Sequence, residues 1–397
     1  MSCERVFFYC QHSVGMGHLV RSVALVEQLA RRFDVVLFSG GPWPRAVSVP
    51  DGVQLVSLSP LAMAEDRGLV SLDPTRTVDE ALQVRRDTLV RFVDTQRPAA
   101  IIIELFPFGR KKFAVELVPF LEAARRLRTD RPRPVVCSSV RDLLVRGRAD
   151  QQRHDDRAAS MLREFFDAVL FHGDGRIAGL DETFRPSRPS GVPVFETGFV
   201  VRGRVPTGRS GSRTVLVSAG GGRVGGSLFR AVLSAWPCTS PAFRARWRLR
   251  IVGGPFLPDH EWRAIERKAA SVDRVELVRS VPDLRSLLAA AGASVSQAGY
   301  NTTLEVLRAR IPALLVPYVV ARGGDEQVTR ARRLARLGAV RMEHPLHLTP
   351  ERLGSALEQL VGFQPNHEPI DCDGSARTVS ILERLLAARV GPAPAVV

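Results

Sequence analysis

The chain has 397 residues, long for one domain and suited to two of ordinary size, and its 45% hydrophobic content lets each half bury a core. No apolar run is long enough to span a bilayer, the N-terminus lacks a signal-peptide pattern, and five scattered cysteines form neither a metal spacing nor a disulfide framework, so the expected compartment is the cytosol. The net charge is +15, and only Lys111, Lys112 and Lys268 of the 56 basic residues are lysines; the arginines spread along the whole chain without an aromatic-interleaved block, which argues against nucleic acid and leaves a background of arginine usage, attraction to anionic substrates, or peripheral contact with an anionic membrane.

Residues 5–10 form a short apolar run rich in Val and Phe, a buried strand, and residues 19–32 place Leu19, Val23, Val26, Leu29 and Ala30 at a helical period. Residues 35–38, 100–104, 135–139 and 168–171 read as further strands with helical stretches between them. That alternation predicts a parallel, doubly wound sheet over residues 1–197. Residues 61–79 read as an irregular loop. Residues 198–213, with several glycines and Pro206 among polar residues, read as a linker. A second alternation fills residues 214–375, with strands at 214–218, 248–252, 275–278, 293–296 and 313–317. Helices are expected at 227–236, 261–270, 283–291, 302–309 and 326–337. A last helix at 376–388 suits either domain, and 391–397 read as a frayed tail. The predicted class is α/β, with two Rossmann-like domains facing across a cleft. Ligands of open α/β sheets bind beyond the carboxyl ends of the strands, so the loops that follow strands carry the chemistry.

Four such loops stand out. The first, His12-Ser-Val-Gly-Met-Gly-His-Leu, has Gly15 and Gly17 for a tight turn and close ligand approach. His18 falls at the start of the next helix, where the helix N-terminus disfavours the imidazolium; it is either a base for an acceptor hydroxyl or a cap. The dinucleotide fingerprint fails here, because Val20 stands at the third glycine position. The second, Ser218-Ala-Gly-Gly-Gly-Arg-Val-Gly-Gly, suits a phosphate cradle made by Gly220, Gly221 and Gly222 with Arg223 nearby; the acidic residue a nicotinamide cofactor needs is replaced by Gly253-Gly254-Pro255.

The third is Ser294-Val-Ser-Gln-Ala-Gly-Tyr-Asn-Thr-Thr-Leu-Glu305, followed by Ile311-Pro-Ala-Leu-Leu-Val-Pro and then Asp325-Glu326-Gln327. Gly299 allows backbone approach, and Tyr300, Asn301, Thr302 and Thr303 open a helix whose first N–H groups suit a diphosphate, with a hydroxyl from Thr302 or Thr303. Glu305, one turn in, can hold a ribose diol, and Glu326 and Gln327 suit sugar hydroxyls; helix capping is the plainer role for each acid alone. The fourth loop, residues 104–113, sets Phe106, Phe108 and Phe113 beside Arg110, Lys111 and Lys112. It suits an amphiphilic or phosphorylated acceptor, or else forms a partly buried aromatic turn. Asp142 and Glu104 are alternative bases. A serine-hydrolase elbow, a P-loop and a metal-ligand cluster are missing from the sequence.

The run from Val281-Pro-Asp-Leu through Ser294–Glu305 to Ile311–Pro317 resembles the donor half of GT-B glycosyltransferases, and of family 28 in particular, which includes the peptidoglycan GlcNAc transferase MurG. The Gly-Met-Gly-His18 turn resembles that family's acceptor-side glycine loop. The resemblance implies that Glu305 holds the ribose, that the backbone of Val281 reads the uracil edge and that Gly220–Gly222 and the Tyr300–Thr303 helix start face the diphosphate. It further implies that Glu326 and Gln327 bind the donor sugar and that His18 sits at the reacting centre. The chain departs from MurG in its Glu-Gln pair and in its acceptor half. The resemblance thus implies an inverting, metal-independent glycosyltransferase. Its nucleoside-diphosphate sugar, UDP-linked, is a substrate rather than a cofactor, and its acceptor is a small molecule, lipid or glycan that the sequence leaves open. The alternatives are a sugar-nucleotide 2-epimerase of the same architecture and a non-catalytic nucleotide-sugar-binding subunit.

Overall fold

The computed structural model describes residues 3–12, 16–44, 47–64, 68–127, 132–144, 146–203, 212–221, 223–319, 325–366 and 370–389. Gly15, Gly222, residues 204–211 of the linker and the 391–397 tail lie outside them. The chain divides into two units: Met1–Leu144, Arg148–Arg202 and Asp371–Val397 form the first, and Val145–Gly147 with Gly203–Ile370 form the second.

In chain order the first unit contains β1 (Arg5–Cys10), α1 (Met16–Leu29), β2 (Asp34–Ser39), β3 (Val53–Ser57), β4 (Leu61–Met63), β5 (Leu69–Ser71) and α2 (Val78–Gln96). It continues with β6 (Ala100–Glu104), α3 (Ala114–Arg126), β7 (Val135–Arg141), α4 (Gln151–Phe165), β8 (Ala168–His172), α5 (Leu180–Thr183) and β9 (Val194–Glu196). Its main sheet is parallel, ordered β3-β2-β1-β6-β7-β8-β9. Its inner strands are apolar almost throughout because helices cover both faces; in β1, Val6, Phe7, Phe8, Tyr9 and Cys10 are all fully buried. The strand order reverses between β1 and β6.

The second unit contains β10 (Thr214–Ser218), α6 (Gly226–Ala235), α7 (Pro241–Arg246), β11 (Arg248–Val252), α8 (Asp259–Ala269), β12 (Val275–Val278) and α9 (Leu284–Ala290). After these come β13 (Ala293–Ser296), α10 (Tyr300–Ala309), β14 (Ala313–Leu315), α11 (Glu326–Arg336), β15 (Arg341–Met342) and α12 (Pro350–Leu360). Its sheet is also parallel, ordered β12-β11-β10-β13-β14-β15, and reverses between β10 and β13. The chain then returns to the first unit. The last helix, α13 (Gly374–Ala387), buries Val379, Ile381, Leu382 and Leu386 in the same core as Leu25, Val26 and Leu29 of α1.

Within 61–79, where the sequence suggests an irregular loop, the described residues include two short strands and the start of a helix. β4 and β5 pair antiparallel, with Leu61 opposite Ser71, and Thr77 then caps α2 through a reciprocal box with Glu80. Strands of three residues are too short to show an alternation. Behind this hairpin, Arg85 of α2 is fully buried; its Nε donates to Glu116 of α3 at 2.6 Å, and its Nη groups reach Tyr9, Gln11, Gly40 and Ser59. Every charge in this network has a partner, which is the condition for tolerating it in a core.

Candidate active site

In open α/β sheets the ligand crevice lies at the carboxyl ends of the strands where their order reverses. In the first unit that point is between β1 and β6, and it is occupied by a compact polar cluster. Glu104, the last residue of β6, is fully buried. His18, near the start of α1, sets its Nδ1 2.6 Å from Glu104 Oε1, and Arg21, one turn further along the helix, pairs with the same oxygen. A carboxylate only accepts, so it fixes the imidazole proton on Nδ1 and turns Nε2 into the basic nitrogen. Nε2 makes no hydrogen bond to the described residues, and a quarter of the side chain is exposed. Burial, opposed by Glu104 and assisted by Arg110 and Arg21, brings His18 down to about 4, so the ring is neutral at pH 7. Burial would raise Glu104, but its cationic neighbours outweigh that and hold it at about 2.

Two more histidines flank this cluster. His12, 4% exposed, places Nε2 3.0 Å from Ser39 Oγ, and burial lowers it to about 4. His172, fully buried at the end of β8, lies 2.8 Å from Ser139 Oγ and 2.7 Å from Thr197 Oγ1, and burial lowers it to about 3.

The remaining acceptor-side residues divide. Gly17 is exposed at the second position of α1. Phe106 and Phe108, expected to face an acceptor, are 1% and 4% exposed and belong to the core: Phe106 lies against Phe166, and Phe108 packs edge-on against Phe184. The aromatic turn is a plug under the loop. Arg110 alone turns back to the cluster, with Nη2 3.7 Å from Glu104 Oε2. Asp142 is fully buried beyond β7, with its Cα 3.4 Å from the point where a Cβ on Gly173 would stand. Asp142 is thus enclosed, whereas a quarter of the His18 side chain is exposed.

In the second unit the reversal lies between β10 and β13, and the glycine loop after β10 meets the start of α10 there. Gly220 takes φ +59°, and a Cβ on it would stand 2.4 Å from Thr302 Oγ1. The loop after β11 closes over it from the other side. Gly254, at φ +91°, would place a Cβ 2.6 Å from Gly220 O, and Phe256 N donates to Gly221 O at 3.0 Å. Arg279 holds that loop by donating to Gly254 O at 2.9 Å. Arg223 is exposed beside the turn.

The N-cap of α10 is Gly299, which offers no side-chain acceptor, and open space surrounds the position where its Cβ would be. Gly299 thus makes no side-chain cap hydrogen bond to the helix. Thr303 is fully buried, so of the two threonines Thr302 is the one against the glycine loop. The ring of Tyr300 packs under Arg330 at 5.9 Å, leaving its backbone as its contribution. Asn301 is half-buried one position on.

Glu305, half-buried in the second turn of α10, is pushed up to about 7 chiefly by burial, with Arg285 opposing and Asp283 assisting. Asp283 caps α9 by accepting from Arg285 N at 3.1 Å, and half-buried Val281 precedes it. At the third position, α11 begins at Glu326 after exposed Asp325. Gln327 Oε1 accepts from Tyr318 N at 2.9 Å, tying the first turn of α11 to the exit of β14. The sequence reading missed Arg21, Arg279 and the Asp283–Arg285 pair. Arg21 carried a signal, since a basic residue one turn after His18 shares its helix face.

These two sheets, each with its polar groups at the point of reversal, define the GT-B class. Solved structures agree: the calicheamicin glycosyltransferase CalG4 matches at 18% identity with a TM-score of 0.58, covering 99% of this chain and 96% of that one. MurG of Acinetobacter baumannii matches at 15% and 0.58, covering 96% and 99%, and VinC, solved with dTDP, at 15% and 0.60, covering 97% and 100%.

Residues 224–383 match the model of the glycosyltransferase family 28 C-terminal domain, so the chain carries this domain on a GT-B fold. Among curated proteins it is similar to two UDP-N-acetylglucosamine–N-acetylmuramyl-(pentapeptide) pyrophosphoryl-undecaprenol N-acetylglucosamine transferases. The one from Solibacter usitatus is 28% identical over 44% of this chain and 45% of the relative. The one from Exiguobacterium sp. is 31% identical over 38% and 40%. The chain thus spans less than half the length of these two relatives.

Proposed function

We propose that the protein is an inverting, metal-independent glycosyltransferase that moves a sugar from a nucleoside-diphosphate donor, UDP-linked, to an acceptor hydroxyl. The observation that carries this reading is the His18–Glu104 pair, 2.6 Å apart at the reversal point of the first sheet. The first unit activates the acceptor. Nε2 of the neutral imidazole takes the hydroxyl proton as the oxygen attacks the anomeric carbon, and ionised Glu104 stabilises the imidazolium that forms. The second unit holds the donor. Attack breaks the bond from the anomeric carbon to the diphosphate oxygen. The departing charge falls on the glycine loop and on the N–H groups of α10, where preorganised donors do the work otherwise assigned to a cation. Glu305 accepts from the ribose diol, the Val281 backbone reads the base, and Glu326 and Gln327 hold the sugar.

UDP as the nucleotide is supported by the family 28 domain and by the donor printed for the curated relatives. The net charge of +15 supports work on anionic substrates or beside an anionic membrane face, and among the described residues no helix is long and apolar enough to cross a membrane. The test is a thermal-shift series with UDP, dTDP, GDP, ATP and NAD. A ligand at 100 times its Kd adds about 2.7 kcal/mol of stability, so UDP raises the melting temperature clearly. A response confined to NAD or ATP would sink the reading.

A further inference from the structure

The cluster around Glu104 holds two guanidiniums on one carboxylate. Oε1 of Glu104 already serves His18 and Arg21. Oε2 is buried and accepts no hydrogen bond, and Arg110, which could close on it, stops at 3.7 Å. Nε and Nη2 of Arg110 are buried without hydrogen-bond partners, while 13% of the side chain stays open. The guanidinium has no second ion pair among the described residues.

A guanidinium withdrawn from water and not closed on a counter-ion is costly, since it gives up solvation without a full return. The backbone also holds it there. Arg110 sits at φ +60° and Leu105, at the other end of the same loop, at φ +64°, a region non-glycine residues seldom take. The loop thus keeps a cation beside the base. Arg110 and His18 address the two oxygens of one carboxylate, so whatever Arg110 binds lies a few bonds from the hydroxyl that His18 would deprotonate. Guanidinium chemistry selects a carboxylate or a phosphate.

We infer that Arg110, held beside the Glu104–His18 pair with its Nε and Nη2 making no hydrogen bond, is a specificity residue that reads an acidic group, carboxylate or phosphate, on the acceptor close to the attacked hydroxyl. This rests on the acceptor-side role of the first unit proposed above and names the class of acceptor. It also supplies the anion that the second guanidinium lacks.

The probes are glycerol 3-phosphate, glycerate and glycerol, which share hydroxyls and differ in the acid. Their binding to the full chain, with UDP saturating the donor loops, is followed by ligand-observed NMR. The wild type is expected to bind at least one of the two anions ten times or more tighter than glycerol; which of them binds tighter distinguishes phosphate from carboxylate. Arg110→Gln should bring the anions down to the level of glycerol, and Arg110→Lys should keep part of the preference. Circular dichroism and UDP affinity, measured on the same samples, report whether each variant is folded and whether the donor reading holds in its own right. Equal binding of all three probes by the wild type, or an undiminished anion preference in folded Arg110→Gln, overturns the inference. So does the absence of binding of either anion.

Discussion

Glu305 shows how one residue's surroundings set its chemistry. It is a carboxylate on a helix, yet burial lifts it to about 7, and Asp283 adds to the shift against Arg285. In the proposed role Glu305 accepts hydrogen bonds from a ribose diol, which the ionised form does more strongly than the protonated one. The group is protonated below about 7 and ionised above, and affinity therefore rises with pH. Uridine carries the ribose without titrating phosphates, and its Kd should tighten about tenfold from pH 6 to pH 8, following the ionised fraction. Glu305→Gln should weaken binding and flatten the dependence; a wild-type affinity that is level with pH would show that Glu305 does not hold the ligand. At this scale the sequence marks residue types, not their company. His18 and Glu104 are obvious polar residues beside strands, but 86 positions separate them, and only the β1–β6 pairing brings them together. Phe106 and Phe108 left two readings open for the same reason: an aromatic beside basic residues reads alike whether it faces solvent or, as here, the core.

Elements were more legible than contacts. Inner strands such as β1, β6 and β10 are built around continuous apolar runs between loop residues, and a parallel sheet covered on both faces demands that pattern. The strands that escaped notice, β3, β9 and the two-residue β15, are partly exposed edge strands, and the β4–β5 hairpin is too short for periodicity. The glycine loop after β10 is an element whose conformation the residue type dictates. Gly220→Ala should cost roughly 1–2 kcal/mol for the left-handed backbone alone, and more from the contact with Thr302 Oγ1. Urea denaturation and UDP titration check this. Adding Thr302→Ala should relieve the contact but not the backbone cost, so rescue is partial. Wild-type stability and UDP affinity in Gly220→Ala would refute the tight glycine-loop packing.

On the scale of the whole molecule, the chain builds one doubly wound unit, then a second, and returns to finish the first with α13. The alternation announced two domains, but nothing in the amphipathic pattern of α13 says which sheet it covers. The first unit also gathers three neutral histidines, buried His12 and His172 and partly exposed His18, lowered to about 4, 3 and 4. Their unfolded values lie near 6.5, so between there and pH 4 the unfolded chain binds more protons. The stability they contribute is complete above about 6.5 and falls with pH, by up to about 1.4 kcal/mol per pH unit for each histidine. Urea midpoints should drop steeply from pH 7 to pH 5, and His172→Asn should lessen the slope. Midpoints unaffected by pH would contradict the buried neutral state.

The most direct test is the single-turnover release of UDP from a UDP-sugar, with water as the acceptor, by the wild type and by His18→Ala. The wild type should release UDP. His18→Ala should bind UDP as the wild type does and release it about a hundredfold or more slowly, since a positioned base is worth roughly that much. Full turnover in His18→Ala would contradict a glycosyltransferase built on the His18–Glu104 pair.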